Sequence, residues 1–241
     1  MTVGINVDPN NSGGDPPSAR LVAAGFEGVR LTARDNPQNR QYIADSLAAG
    51  LRVVAIVGTG DNAGFVPPQP QVVLQIFNEP DLDGPTGLAP AAYADVFATF
   101  RGTFPAYDCW TAGFASGQPS YYEQFLAALS SRHPDVNWPN AVAIHPYGQT
   151  ADGLRVLAEA YWNVTGSIPV VATEWFESAG QGLIWPFQDT LANPDTGVCT
   201  VWNSFFPWGT SMAPDFGGLV DPIQQCLPEG LELITALEGV C

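Results

Sequence analysis

Short apolar runs alternate with amphipathic segments along the whole chain. Apolar runs of strand length occupy residues 3–7, 28–33, 52–58, 72–77, 110–115, 141–147, 169–175 and 198–205. Helical periodicity or helix boundary signals mark 15–25, 39–50, 90–104, 121–132, 153–164, 186–192 and 229–237. The third run, RVVAIVG, is apolar without a break, which is typical of a strand buried on both faces of a parallel sheet. The pattern predicts eight strands, most of them followed by a helix.

Eight such units in 241 residues predict a (β/α)8 barrel, a fold that typically has about 250 residues. Residues 59–71 contain two glycines and three prolines where the third helix should lie, so that helix is expected to be missing or vestigial. We therefore expect an α/β fold, a compact single TIM barrel with short loops and one domain over residues 1–241. An open doubly wound sheet is the alternative, although it more often stops at about five or six strands.

Polar and aromatic residues gather at or near the carboxyl ends of the predicted strands. They are Arg30, Asn78, Glu79, His145, Tyr147, Glu174, Trp175, Trp202 and Trp208. The amino-terminal ends of the same strands show no such concentration of charged and aromatic residues. Since the active site of a (β/α)8 barrel lies at the carboxyl ends of its strands, this set predicts a site and not a packing motif.

Glu79 and Glu174 are the informative pair. Each follows an apolar strand, where burial of a carboxylate needs a compensating partner. Two carboxyl groups across a barrel mouth can flank a glycosidic bond, one attacking the anomeric carbon while the other protonates the leaving oxygen. The pair predicts glycoside hydrolysis; the structural alternative is that each is a surface loop carboxylate or an ion-pair partner.

Three short motifs in this order resemble the clan A retaining glycoside hydrolases: NEPD at 78–81, HPY at 145–147 and TEW at 173–175. The short chain resembles the small β-glucanases of the clan, such as those of family 128 or family 5. The resemblance implies that Glu79 is the acid/base and Glu174 the nucleophile. It further implies that Asn78 contacts the sugar, that Arg30, His145 and Tyr147 surround the nucleophile, and that Trp202 is a sugar platform.

The short loops favour an open groove and hence an endo-acting enzyme on a β-glucan or mannan type polymer. Trp175 and Trp208 are candidates for the lining of that groove, where they would stack on sugar rings. The alternative is a non-catalytic carbohydrate-binding barrel of the same shape. The presence of both Glu79 and Glu174 argues against that alternative.

Composition excludes several other classes. There are 24 acidic residues against 8 basic ones, so the net charge of −16 disfavours nucleic acid and anionic membranes as partners. The chain has no lysine, which rules out Schiff-base chemistry. The sequence has no CxxC pair, only two histidines, no carboxylate cluster spaced for a hard cation and no phosphate-binding glycine loop, so we expect neither metal nor cofactor.

Compartment and assembly remain expectations. Four cysteines leave one or two disulfides possible, with buried thiols as the alternative. The start MTVGINV lacks the features of a signal peptide. We expect an extracellular monomer; either its leader has been removed or the protein is not secreted by that route.

Overall fold

The computed structural model describes residues 2–7, 17–23, 26–58, 63–84, 87–146, 151–165, 168–174 and 202–205. The strands are β1 (Thr2–Asn6), β2 (Gly28–Thr32), β3 (Arg52–Val57), β4 (Val72–Ile76), β5 (Asp108–Trp110), β6 (Val142–Ile144), β7 (Val170–Ala172) and β8 (Trp202–Phe205). The helices are α1 (Ser18–Ala23), α2 (Pro37–Ala48), α3 (Pro90–Thr103), α4 (Pro119–Arg132) and α5 (Ala151–Thr165).

Local sequence explains where helices begin. The Asn36 side chain accepts a hydrogen bond from the Asn39 amide, and a proline follows at the first helical position of α2. Helices α3 and α4 also begin on a proline, where the missing N–H leaves no bond unmade. Between β3 and β4 the described residues form only a 3-10 turn, Ala63–Phe65. The prediction that the helix between β3 and β4 is missing or vestigial is therefore confirmed.

The strands form one parallel sheet in the order β5-β4-β3-β2-β1-β8-β7-β6. Its two outer strands meet as well, because Trp110 bridges Ala141 and Phe114 bridges Ile144. The Thr111 amide donates to the Ala141 carbonyl at 3.1 Å at the same junction. The sheet thus closes on itself, and the predicted (β/α)8 barrel class is confirmed.

Alternate residues of the strands serve two separate cores. Inside the barrel, four buried strand residues and Ala141, which directly precedes β6, form one cluster; the strand residues are Val54, Val73, Trp110 and Val171. The Arg52 guanidinium lies over the Trp110 ring at 5.4 Å from its centroid. The outward-facing residues pack against the helices in a larger cluster. This division follows from the two-residue period of a strand.

Tyr93 of α3 bonds to both chains where the regular pairing of β4 with β5 is interrupted. Its buried hydroxyl donates to the Ile76 carbonyl at 2.9 Å and accepts from the Ala112 amide at 2.6 Å. Burial raises the pKa of Tyr93 well above its usual value, so the hydroxyl stays protonated and can fill both roles. The ring packs beside Phe125 at a centroid distance of 4.8 Å.

The observed bounds of β4 and β5 differ from the expected ones for identifiable reasons. We expected β4 to reach residue 77, but it ends at Ile76 because Phe77 adopts a positive φ of 73°. We expected β5 to span 110–115, whereas regular pairing covers Asp108–Trp110 and continues only as single bridges at Gly113 and Phe114. The Thr111 hydroxyl accepts the Ala143 amide at 2.9 Å, which replaces a ladder bond there.

Several other expectations concern residues outside the described part of the chain. The helices expected at 186–192 and 229–237 lie outside them, as do Cys199, Cys226 and Cys241. Cys109 is a buried free thiol, and burial raises its pKa. Within the part of the chain that the structure describes, no helix combines the length and apolar character needed to cross a bilayer.

Substitution of Tyr93 by Phe should lower the free energy of unfolding by about 1–3 kcal/mol, because it leaves one buried acceptor and one buried donor unpaired. Urea unfolding followed by fluorescence measures the loss. Tyr121→Phe is the matched control, since that half-buried tyrosine donates one bond, to the Leu88 carbonyl at 2.8 Å. Equal losses in the two variants would contradict the role of Tyr93.

Candidate active site

Arg30 stands at the centre of a polar cluster inside the barrel. It lies on β2 and is 1% exposed. Nε donates to Gln75 Oε1 at 2.7 Å, and Nη1 donates to Asn6 Oδ1 and Glu174 Oε1, both at 2.7 Å. Nη2 donates to Asn78 Oδ1 at 2.9 Å and lies 3.5 Å from His145 Nε2.

A guanidinium has five N–H groups, and each of these five directions has a partner here. A buried charge needs such complete pairing, since an unpaired N–H in the interior would carry its full desolvation penalty. Arg30 and Glu174 form the buried ion pair of the cluster, with an N–O distance of 2.7 Å. The cluster therefore fixes the position of the Glu174 carboxylate.

Glu174 follows the end of β7 and is 5% exposed. The chain just before it is held on two sides: the Thr173 amide donates to the Ile144 carbonyl at 3.0 Å, and the Asn6 amide group donates to the Thr173 carbonyl at 2.9 Å. Asn6 thus contacts both the arginine and the backbone beside the carboxylate. The side chain and the main chain of this region are positioned together.

Glu79 lies after β4 and is more open, with 28% of its side chain exposed. Its amide donates to the Gly113 carbonyl at 3.0 Å, and its φ is 49°. Phe77 also has a positive φ, so two residues that are not glycine adopt the left-handed region around Asn78. The chain leaving β4 is held in this conformation by its contact with the end of β5.

His145 connects the two carboxylates. Its Nδ1 lies 3.0 Å from Glu79 Oε1, and its Nε2 lies 3.5 Å from Glu174 Oε1. One oxygen from each carboxylate and the histidine nitrogen lie within 4.8 Å of one another. The imidazole is fully buried, whereas Glu79 is partly open to solvent. The site therefore has one enclosed carboxylate and one accessible carboxylate.

Glu79, His145 and Glu174 also have the spacing of a three-ligand metal set. The Arg30 guanidinium, however, donates to the same Glu174 oxygen at 2.7 Å. A divalent cation bound to that oxygen would face a fixed positive charge at hydrogen-bond distance. The donor set fits an ion-paired carboxylate better than it fits a metal site.

Sequence analysis placed five of these residues in the site, and the structure brings them together: Arg30, Asn78, Glu79, His145 and Glu174. Tyr147, Trp175 and Trp208 lie outside the described residues. Trp202 begins β8 and pairs with Val170, which begins β7. This register differs from the expected location near the carboxyl end of the strand, and the role of Trp202 as a sugar platform stays a prediction.

Sequence analysis missed Asn6 and Gln75, which both bind Arg30. Each is a polar residue on the barrel-facing side of an otherwise apolar strand, and this was the signal available for finding them. Asp81 was not assigned a role. Its carboxylate accepts from the Ala115 amide at 3.1 Å and the Ser116 amide at 2.8 Å, which ties the loop after β4 to the loop after β5.

Neither the known protein-family profiles nor the curated proteins contain a match to this chain. Solved structures do match. A GH128 (subgroup I) endo-β-1,3-glucanase from Amycolatopsis mediterranei, in complex with laminaritriose, has a TM-score of 0.68 at 16% identity, over 98% of this chain and 99% of that chain. A GH128 (subgroup IV) endo-β-1,3-glucanase from Lentinula edodes has a TM-score of 0.66 at 17% identity, over 95% and 89%.

The catalytic domain of a mannanase from Streptomyces sp. SirexAA-E has a TM-score of 0.63 at 19% identity, over 89% of this chain and 77% of that chain. A glycoside hydrolase family 5 enzyme from Prevotella bryantii is similar in structure as well. At these identities the similarity demonstrates a shared fold. The families include the two that the sequence motifs resembled.

Substitution of Arg30 by Lys should lower the free energy of unfolding by about 2–5 kcal/mol, because an ammonium has three donors and leaves buried acceptors unpaired. Urea unfolding measures it. Arg132→Lys, at an exposed ion pair with Asp95, is the control and should change stability by less than about 1 kcal/mol. A fully tolerated Arg30→Lys would show that the five-bond cluster does not hold the site.

Proposed function

We propose that this chain is a retaining glycoside hydrolase that cleaves β-linked polysaccharides of the glucan or mannan type within the polymer. Glu174 is the nucleophile and Glu79 the acid/base. The observation that carries the proposal is the pair of carboxylates with oxygens within 4.8 Å, one enclosed and ion-paired, the other accessible. Retaining enzymes need a separation of about 5–5.5 Å, and inverting enzymes need roughly 6.5–9.5 Å.

In the first step Glu174 attacks the anomeric carbon of the bound sugar. The bond to the leaving oxygen breaks as Glu79 gives that oxygen its proton, and an ester joins Glu174 to the sugar. Arg30 stabilises the negative charge of Glu174 and holds its oxygen in place at 2.7 Å. The partly exposed Glu79 can reach a leaving group that extends toward solvent.

In the second step Glu79 removes a proton from water. The water oxygen bonds to the anomeric carbon, the ester bond breaks, and Glu174 returns to its carboxylate form. Two inversions at one carbon leave the β configuration unchanged. The imidazole of His145 stays beside both carboxylates through the cycle, at 3.0 Å from Glu79 and 3.5 Å from Glu174.

Asn78 is suited to hold the sugar. Its Oδ1 accepts from Arg30 Nη2 at 2.9 Å and lies 3.3 Å from Gln75 Nε2. These two donors fix the amide orientation, so that the Asn78 NH₂ is the group that can donate to a sugar hydroxyl. We propose the hydroxyl next to the anomeric carbon as its partner.

The substrate class draws on the structural neighbours. They are described as β-1,3-glucanases that act in endo or exo mode, as an endo-β-1,4-glucanase and as a mannanase. All these polymers have β-linked pyranose backbones, which the two-carboxylate site can accept. Trp175 and Trp208 are proposed to extend the sugar-binding groove.

Glu174→Ala should abolish hydrolysis, since it removes the carboxylate that is proposed to form the ester. Glu79→Ala should lower kcat on polysaccharide by roughly 10²–10⁴-fold. On an aryl glycoside with a good leaving group, added azide should restore turnover of Glu79→Ala and yield a β-glycosyl azide. Glu123→Ala, an exposed carboxylate on α4, is the control and should behave as wild type. Near-normal turnover in either site variant would overturn the assigned roles.

A screen of β-1,3-glucan, β-1,4-glucan, mannan, galactan and xylan should give hydrolysis of a glucan or of mannan, with soluble products of mixed size and initial β configuration by NMR. Release of only monomer or dimer from chain ends would contradict endo cleavage, and initial α products would contradict retention. Binding of a polymer without any hydrolysis would favour the carbohydrate-binding alternative.

A further inference from the structure

Gly113 lies at the point where the chain after β5 meets both carboxylate-bearing regions. It forms an isolated parallel bridge with Asn78, and its carbonyl accepts the Glu79 amide at 3.0 Å. The carbonyl of the next residue, Phe114, accepts a hydrogen bond from the His145 amide at 2.8 Å. The backbone around Gly113 is therefore bonded to the residue that bears one carboxylate and to the histidine that reaches the other.

The Cα of Gly113 faces the imidazole of His145. A Cβ built at this position would lie 1.9 Å from Nε2, 2.5 Å from Cδ2 and 2.6 Å from Cε1 of that ring. Such distances are far inside van der Waals contact, so the ring and a methyl group cannot both occupy their places. The His145 side chain is fully buried, and its backbone amide donates to the Phe114 carbonyl, so the residue cannot shift freely.

Backbone conformation does not account for a glycine here. The glycines described with positive φ are Gly50, Gly84 and Gly117, and Gly113 is not among them. The φ of Gly113 is therefore not in the left-handed region that favours glycine. What requires the missing side chain is the space that the imidazole occupies.

We propose that Gly113 is a positioning residue of the catalytic centre: it leaves the space in which His145 contacts Glu79 and Glu174, while its carbonyl holds the Glu79 backbone. Its effect on catalysis rests on the proposed glycosidase function. Its effect on the position of His145 does not, because that contact is a property of the folded chain.

Gly113→Ala tests the proposal. The added methyl group should displace the imidazole, lengthen its contacts with both carboxylates, and lower kcat by roughly 10–100-fold with a smaller change in KM. Gly102→Ala is the matched control: that glycine lies on α3, and a Cβ there meets nothing within 4 Å. It should leave kcat and KM as in wild type.

A second measurement is independent of activity. The chain has only two histidines, His133 and His145, so their imidazole ¹⁵N signals can be assigned with a His133→Gln variant. Gly113→Ala should move the His145 signals and leave those of His133 unchanged, whereas Gly102→Ala should move neither pair. Wild-type His145 signals in Gly113→Ala would overturn the proposal, whether or not the chain hydrolyses any glycan.

A double variant covers the case in which Gly113→Ala does not fold. In the His145→Ala background the ring is gone, so adding Gly113→Ala should change activity and the unfolding midpoint by much less than it does alone. If the double variant folds like His145→Ala, the clash with the imidazole is the cause. If it fails as badly as Gly113→Ala alone, the glycine serves another purpose and the proposal is wrong.

Discussion

The buried guanidinium of Arg30 is the constraint to which the site conforms. A charge taken out of water inside a barrel is tolerated only when its hydrogen-bond donors are matched by acceptors at fixed distances. Here those acceptors come from β1, β4, the loop after β4 and the end of β7, and the imidazole comes from the end of β6. One side chain thereby sets the relative positions of several separate strands, including the two that lead to the carboxylates.

The remainder of the fold isolates this polar cluster. Part of the barrel interior is filled by an apolar layer that includes Trp110, and the Arg52 guanidinium lies over the Trp110 ring. Outside the sheet, the aromatic rings of Tyr93, Phe114 and Phe125 pack between strands and helices. The polar cluster around Arg30 includes residues that follow the carboxyl ends of β4, β6 and β7. At these carboxyl ends the accessible Glu79 lies next to solvent, and the enclosed Glu174 does not.

How far the sequence predicts this site depends on the kind of signal each residue gives. Glu79 and Glu174 were predictable as a pair, because both follow apolar strands, three strands apart, with aromatic residues near them. Arg30 was predictable because a cation interrupts a buried strand. Asn6 and Gln75 are neutral amides inside strands, and only the closed barrel shows that they face Arg30. Gly113 has no side chain, so the sequence alone gives no signal of its role. The exact strand ends depended on tertiary contacts, as when the Thr111 hydroxyl replaces a ladder bond.

The left-handed conformations of Phe77 and Glu79 have a consequence for transplanting this site into another barrel. Each such residue is less stable there by roughly 1–2 kcal/mol than in ordinary right-handed or extended backbone, so the NEPD segment would relax to a plain strand exit on its own. Its shape is maintained by bonds to the chain after β5: the Glu79 amide donates to the Gly113 carbonyl, and the Ser116 amide donates to the Asp81 carboxylate. If the NEPD motif were grafted without the segment that follows β5, the residues would be present but their geometry would be lost. The segments that follow β4 and β5 would therefore have to be transferred together.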